Sequence, residues 1–239
     1  MNRLKLALEN PALAWRWISR RGSNLTDIEP REIKRFMKEQ GAIIEAGASD
    51  GTDTARLAKS FVRNQIYALE PIKNQFETTL VATQSLENVE VGNLALSTTN
   101  GLTKMFVGKS GLGISGMGSS SLLKPKLHLF EFPEISFSGR EEVQTITLED
   151  FCARKNITYI DLLWLDVQGF EMNLIFHGRE FIQEYVNLVH MEVSRVELYE
   201  GTRLYRDVMQ DMRSLGFKAR LRRVGRVSGN CLFQNNRFK

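Results

Sequence analysis

The sequence predicts an α/β fold: a doubly wound, mostly parallel sheet of seven strands, Rossmann-like in its winding, with an antiparallel terminal hairpin and an inserted strand-loop-strand segment. Three observations carry that reading. Short apolar runs alternate with segments of helical period along most of the chain, the pattern that places helices on both faces of a parallel sheet. The first run, Ile43-Ile44-Glu45-Ala46, passes through Gly47-Ala48-Ser49-Asp50-Gly51 into Thr52-Asp53-Thr54, so a strand, a glycine turn and a capped helix start follow one another. The alternation fails in one block, 98–147, where Gly, Ser and Pro interrupt it.

The 239 residues suffice for one large domain with a full core. Hydrophobic residues make up 42% and charged residues 25%, ordinary for a soluble globular protein. A net charge of +4 allows an acidic partner without demanding one. Cys152 and Cys231 are too few and too far apart for a disulfide framework or a zinc site, so a reducing, cytoplasmic setting is expected. The stretch from Leu4 to Trp17 is broken by Lys5, Glu9, Asn10, Pro11 and Arg16. It is neither a secretory leader nor a membrane span, which needs about 20 apolar residues, and no membrane partner is expected.

Residues 1–40 read as a helical cap. Leu4, Leu8, Ala12, Trp15 and Ile18 fall at helical spacing, broken at Asn10-Pro11. A second helix is expected over 30–40, with Ile33, Phe36 and Met37 apolar and Gly41 as its stop. The expected role is to cover one end of the sheet; a lid or a homodimer contact is the alternative. The main domain is 41–239. Its strands are predicted at 42–46, 65–69, 89–91, 161–165, 188–192, 217–221 and 231–234. Helices are expected after the glycine turn to about 62, from Pro71 to about 85, at 148–155, from about 171 to 176 and at 204–215. The last two strands form the hairpin, as an antiparallel edge. The insertion, 98–147, holds strands at 103–107 and 142–146 around a Gly- and Ser-rich loop, expected to lie as a flap over the ligand end of the sheet.

The glycine turn is the first candidate site. Gly47 and Gly51 let the main chain approach a ligand, and the following helix start presents N–H groups. The spacing Glu45-x-Gly47-x-x-x-Gly51 departs from the G-x-G-x-x-G of dinucleotide sites, and Glu45 and Asp50 would repel a pyrophosphate. They suit a ligand with an ammonium, an amino-acid carboxylate and a ribose: S-adenosylmethionine. Glu70-Pro71 closes the second strand about 20 residues on, the offset at which a carboxylate meets ribose hydroxyls. Asn93, after the third strand, is placed to read an adenine edge. The cofactor set is therefore Glu45, Gly47, Ala48, Asp50, Gly51, Glu70, Pro71, Asn93, Ala95 and Asp166, and the reading requires Glu45 and Asp50 to face the same ligand as Glu70.

Glu-x-Gly-x-x-x-Gly, Glu70-Pro71, Asn93-x-Ala95-Leu96 and Asp166-Val167-Gln168-Gly169-x-Glu171 together resemble the FkbM family of S-adenosylmethionine-dependent methyltransferases, over about 42–234. The resemblance implies a class I methyltransferase fold and, usually, O-methylation of sugars or natural-product hydroxyls. The family often has Asp where Glu45 stands and Asp-x-Glu-Gly where this chain has Asp166-Val167-Gln168-Gly169. The first difference keeps the charge; the second removes a carboxylate.

Methyl transfer to a hydroxyl needs a base. Asp166, at the exit of the fourth strand, is the first choice. His190 and Glu192 project to one side of the next strand and come second. Gln168, Glu171, Ser120 and Ser121 are expected on the substrate side. Asp166, Glu171 and Glu192 holding Mg²⁺ is the alternative to a metal-free site. Gly108-Lys109-Ser110 lacks the earlier glycine of a P-loop, since position 103 is Thr, and Gly111-Leu112-Gly113-Ile114-Ser115-Gly116 has no helix after it to receive a pyrophosphate. The basic run 218–226 reads as a solvated strand face without aromatics to stack bases. The expected activity is methyl transfer to an oxygen of a glycan, sugar or small metabolite. A nucleic-acid methyltransferase is the rival, weakened by the absence of any Pro-Pro or Pro-Cys pair; a non-catalytic binding module is the other.

Overall fold

The computed structural model describes residues 26–38, 41–110 and 118–238. The helix expected over 4–18 and most of the glycine-rich loop of the insertion lie outside them. The second expected helix is shorter than its periodicity suggests. Helix α1 (Pro30–Ile33) runs into a 3₁₀ turn (Lys34–Phe36), and Met37 is already extended. The sheet takes over the backbone groups that another helical turn would have used. Asn187 donates its side-chain N–H to the Phe36 carbonyl (3.0 Å), and the Asp161 carboxylate accepts from the N–H of Lys38 (2.9 Å) and Gly41 (3.2 Å).

The main sheet has seven strands: β1 (Ala42–Ala46), β2 (Ile66–Leu69), β3 (Val89–Gly92), β7 (Ile160–Leu165), β8 (Val186–Ser194), β9 (Phe217–Val224) and β10 (Ser228–Asn235). Their order is β3-β2-β1-β7-β8-β10-β9. Every pair from β3 to β8 is parallel, while β10 runs antiparallel to both β8 and β9. The antiparallel strand is therefore internal, and the sheet edge falls to β9. The terminal hairpin is thus the antiparallel edge of the sheet as expected, with β10 inward: it is buried through Cys231–Asn235, while β9 carries exposed Lys218 and Arg222.

Buried strands need cover on both faces. On one face Ile44, Leu163, Leu165, Val189, Met191 and Phe233 pack against α5 (Leu148–Lys155), α6 (Glu171–His177), α7 (Arg179–Tyr185) and α8 (Tyr205–Ser214). On the other, Ile43, Leu162, Trp164, Leu188 and Leu232 meet Leu57 and Ala58 of α2 (Thr52–Ser60), Phe61 beyond it, and Ile28 and Ile33 of the N-terminal segment. That part of the expected cap thus lies on a sheet face. Helix α3 (Lys73–Thr83) packs beside α2, where Gly51 lies 3.1–3.2 Å, measured from a notional Cβ, from Thr79 and Ala82.

The insertion forms its own three-stranded sheet, β4 (Ala95–Leu96), β6 (Ile135–Ile146) and β5 (Gly101–Ser110), in the order β4-β6-β5. Both expected strands are present and longer than predicted. Met105, Val107 and Val143 seat on Ile72, which brings this sheet over the end of β2. Ahead of the short helix α4 (His128–Glu131), Lys126 and His128 donate their N–H groups to the Leu198 carbonyl, so the insertion is also tied to the loop after β8. Among the described residues no helix is long and apolar enough to cross a membrane.

Candidate functional site

The register of the sheet assembles the site. Ala46 pairs with Leu69 and Leu165, Leu69 with Gly92, and Leu165 with Met191. One residue past those partners stand Gly47, Glu70, Asn93, Asp166 and Glu192. Five strand exits thus share one rim, the end at which parallel sheets bind ligands. A cleft opens there, lined by Gly47, Ser49, Glu70, Pro71 and Asp166 at the strand exits of the main sheet, and by Ala95, Leu96, Met105, Ser120, Leu122 and Phe170 around them.

Gly47 has φ +92°, and a Cβ on it would lie 2.0 Å from the Asp166 carbonyl oxygen. Only glycine lets β1 and β7 close this tightly. Its N–H and that of Ala48 both donate to the Leu69 carbonyl. Glu70 is 4% exposed and accepts from the N–H of Ser49 (2.9 Å) and Ile72 (2.8 Å). Burial still pushes its carboxyl up to about 7. Asn93 donates its amide to the carbonyls of Glu70 (2.9 Å) and Pro71 (3.0 Å), so it braces the corner that presents Glu70.

Glu45 and Asp50 do not line the cleft. Glu45 is 1% exposed, accepts from the Thr54 hydroxyl under the start of α2, and is pushed by burial up to about 8. Asp50 accepts from the Thr52 N–H (3.0 Å), the first free N–H of that helix. Both acids thus serve the glycine turn, while Glu70 lines the cleft itself. The two acids shape the turn from beneath and beside it, because the helix start has N–H groups and a hydroxyl that need acceptors.

Asp166 has open access to the cleft, and its Oδ1 accepts from the Gln168 amide (2.7 Å). That amide also donates to Glu192 (3.3 Å). Desolvation by the surrounding protein raises both carboxyls, and Asp166 adds to the rise of Glu192. Glu171 accepts from the N–H of Val167 (3.1 Å) and Gly169 (3.3 Å), which fixes the 166–170 turn, and burial pushes it up to about 8. With Glu192, Ser194, Thr202 and Arg203 it lines a smaller neighbouring cavity of about 280 Å³.

His190 lines neither cavity. Its ring stacks on Trp164 at 3.6 Å, neither nitrogen has a hydrogen-bond partner, and burial pushes it down to about 3, so it is neutral. Ser120 lies on the cleft wall; Ser121 is fully buried, donating to the Gln168 carbonyl (2.7 Å). Among the described residues no group of three His, Cys, Asp or Glu is arranged to hold a metal, so Mg²⁺ on Asp166, Glu171 and Glu192 gains no support. Gly108 and Lys109 lie in β5 rather than in a phosphate loop. In the basic run, Arg220 donates to Gln234 and Arg223 bonds Glu32 and the Asp27 carbonyl, so two of its arginines are ties within the protein.

Sequence reasoning passed over Ser49, Leu96, Met105, Leu122 and Phe170. Ser49, Leu96 and Phe170 stand inside the motifs already singled out and were within reach. Met105 and Leu122 arrive from the insertion, and no local pattern marks them.

The profile of the methyltransferase FkbM domain matches residues 45–219. The 2-O-methyltransferase NoeI of Sinorhizobium fredii (strain NBRC 101917 / NGR234) is 28% identical over 208 residues, 86% of this chain and 84% of that protein. Among solved structures, that of a fibrillarin/Nop5p complex aligns with a TM-score of 0.51 at 14% identity, over 83% of this chain and 74% of that one. A methyltransferase FkbM from Methylobacillus flagellatus KT aligns with a TM-score of 0.50 at 12% identity, over 86% of this chain and 50% of that one. At such identities the two structures speak for the fold alone. The profile match spans most of the chain and both strand-exit motifs of the site, and on it this chain belongs to the FkbM family of S-adenosylmethionine-dependent methyltransferases.

Proposed function

We propose that this methyltransferase acts on a hydroxyl oxygen of a sugar or glycan, with Asp166 as the general base. The observation that carries the reading is the charge of the cleft. Its described lining includes the carboxylates of Glu70 and Asp166 and no Lys or Arg. A phosphate-rich acceptor would meet repulsion there, whereas a neutral polyol finds acceptors for its O–H groups. The name of the relative, a 2-O-methyltransferase, is in keeping with an oxygen acceptor.

The residues present suit S-adenosylmethionine. Each oxygen of Glu70 accepts one backbone N–H and keeps a second lone pair, enough for a pair of ribose hydroxyls. Ser49 Oγ is buried on the cleft wall without a partner, a polar atom in want of one. Gly47 leaves the main chain bare, and Leu96, Met105, Leu122 and Phe170 supply an apolar wall for a flat base. When bound, the cofactor supplies a methyl group on a positively charged sulfur. Asp166 then has one task. Its Oδ1 is held by Gln168, and its Oδ2 is free to take the proton of an incoming hydroxyl. A carboxylate facing the cleft with one oxygen uncommitted can take that proton as the hydroxyl oxygen attacks.

Transfer of labelled methyl to a panel of saccharides and to RNA tests the reading. Label on a saccharide oxygen is expected, with the rate falling about 10²–10⁴-fold in Asp166→Asn. Label on RNA and none on saccharides would refute the acceptor class. A full rate in Asp166→Asn would refute the base.

A further inference from the structure

We propose that Gln168 is a positioning residue: its one amide clamps Asp166 and Glu192 together and ties that pair, through Tyr199, to the inserted sheet. The inference rests on Asp166 serving as the base and adds what orients it. Nε2 carries two hydrogens, and each has an acceptor, Asp166 Oδ1 at 2.7 Å and Glu192 Oε2 at 3.3 Å. Oε1 faces the Tyr199 hydroxyl at 3.1 Å. The amide cannot be turned over without aiming its oxygen at two carboxylates, so the orientation is dictated by charge.

The backbone is committed to the same end. Gln168 has φ +54°, a left-handed conformation that is costly for a residue with a side chain. It is held by the Ser121 hydroxyl on its carbonyl (2.7 Å) and by Gly169, also at positive φ, where a Cβ would fall 2.5 Å from the Thr202 hydroxyl. Strain of this kind persists only where the surroundings over-determine it.

Tyr199 supplies the link. Its single phenolic hydrogen faces two acceptors, the Ser119 carbonyl at 2.8 Å and Gln168 Oε1 at 3.1 Å. Ser119, Ser120 and Ser121 are the segment of the insertion that returns to the cleft, and Ser121 bridges to Phe106 of β5. A shift of that segment changes which acceptor the phenol serves, and with it the grip on the carboxylate pair. A direct substrate contact from Gln168 is not needed for it to matter: its amide is fully engaged, and it lines neither cavity.

The charged groups around the pair are mostly acids on the facing elements, with Arg203 beside Glu192 on the wall of the smaller cavity. Asp53 of α2 and Asp27 of the N-terminal segment raise Asp166, and Asp166 in turn raises Glu45 of β1, Glu70 at the end of β2 and, together with Glu192, Glu171 of α6. Against that background the amide is what favours the ionised form of Asp166, while for Glu192 the Ser228 side chain does so first and the amide second.

Carbon-detected NMR titration of the Asp and Glu carboxyls in the full chain reads this directly. In Gln168→Leu, Asp166 is expected to titrate about one pH unit higher than in the parent, because the ionised form has lost its donor. Gln168→Asn keeps an amide but draws it back by one methylene, and asparagine tolerates the left-handed backbone. It should move Asp166 the same way while folding as the parent does. Tyr199→Phe should give a smaller rise. An Asp166 midpoint within about 0.2 pH units of the parent in both Gln168 variants overturns the proposal. Separately, if the Gln168 variants move the midpoint but the pH profile of saccharide methylation does not follow, the clamp stands and the assignment of Asp166 as base falls.

Discussion

Gly47→Ala isolates the closest approach in the site. The added methyl would sit 2.0 Å from the Asp166 carbonyl oxygen and 2.9 Å from its carbon, both backbone atoms. Restoring an ordinary contact requires the strands to part by about 1.4 Å. They are not free to do so. The Gly47 N–H is bonded to the Leu69 carbonyl on one side, and the Asp166 N–H to the Ala46 carbonyl on the other, each at 2.9 Å. An alanine at φ +92° carries about 1–2 kcal/mol of its own. Weakening one or both ladder bonds adds about 0.5–1.5 kcal/mol each. A loss of about 3 kcal/mol follows, roughly 6–12 °C in Tm for a chain of this size. Because the same displacement moves Glu70 and Asp166 apart, the methyl-transfer rate should fall about 100-fold or more. Gly201→Ala is the control: φ is +81° there, with nothing within 4 Å, so only the conformational cost applies. Thermal unfolding of both variants, with S-adenosylhomocysteine affinity by calorimetry, decides the matter. A Gly47→Ala protein that melts like Gly201→Ala and binds within threefold of the parent would refute the reasoning.

Further outcomes follow from the same geometry. Glu70→Ala frees the N–H groups of Ser49 and Ile72 and removes the ribose acceptor, so calorimetry should show a loss of cofactor affinity of at least about 10-fold; unchanged affinity would place the ribose elsewhere. Asp161→Ala, at the opposite end of the sheet, strips a fully buried carboxylate from the N–H groups of Lys38, Gly41, Asn64 and Asn187. It should cost about 3–5 kcal/mol in urea unfolding while leaving cofactor affinity of the folded fraction intact. Glu45 and Glu171 are held near 8 and Glu70 near 7, all raised from 4.5. Between pH 4.5 and 8 the native state therefore keeps protons that the unfolded chain has released, so ligand-free stability should fall as pH rises through that window. A urea midpoint that climbs from pH 5 to 8 would contradict this.

The sheet was legible because its evidence is local. A run such as Leu162–Leu165 is apolar on both faces, and the glycine turns punctuate the strands. What no run of sequence shows is which strand lies beside which. The terminal hairpin was expected to close the sheet and does, but which of its two strands faces inward is told only by the continuous burial of β10 across Cys231–Asn235. The site was legible to the extent that exits of parallel strands converge. Gly47, Glu70 and Asp166 follow from position along the strand alone. Glu45 and Asp50 were harder to place, because a carboxylate beside a helix start has two uses, holding a ligand or satisfying the helix, and here the Thr54 hydroxyl and the Thr52 N–H donate to them. Met105 and Leu122 were beyond reach because their position depends on how a separate sheet seats on Ile72.

The place of β10 has a consequence for the order of assembly. β8 and β9 are separated in space by a strand that follows both of them in the chain. Until β10 arrives, β8 has an open edge and β9 has nothing to pair with, whereas the β3-β2-β1-β7-β8 half can form from contacts already made. The half that holds the cofactor corner is thus complete before the half that seals the sheet, and the slowest step should be the insertion of this last strand between two waiting partners. A chain arrested before Ser228 would expose the aliphatic edge at Leu188 and Val189 and should be recovered bound to holdase chaperones rather than free.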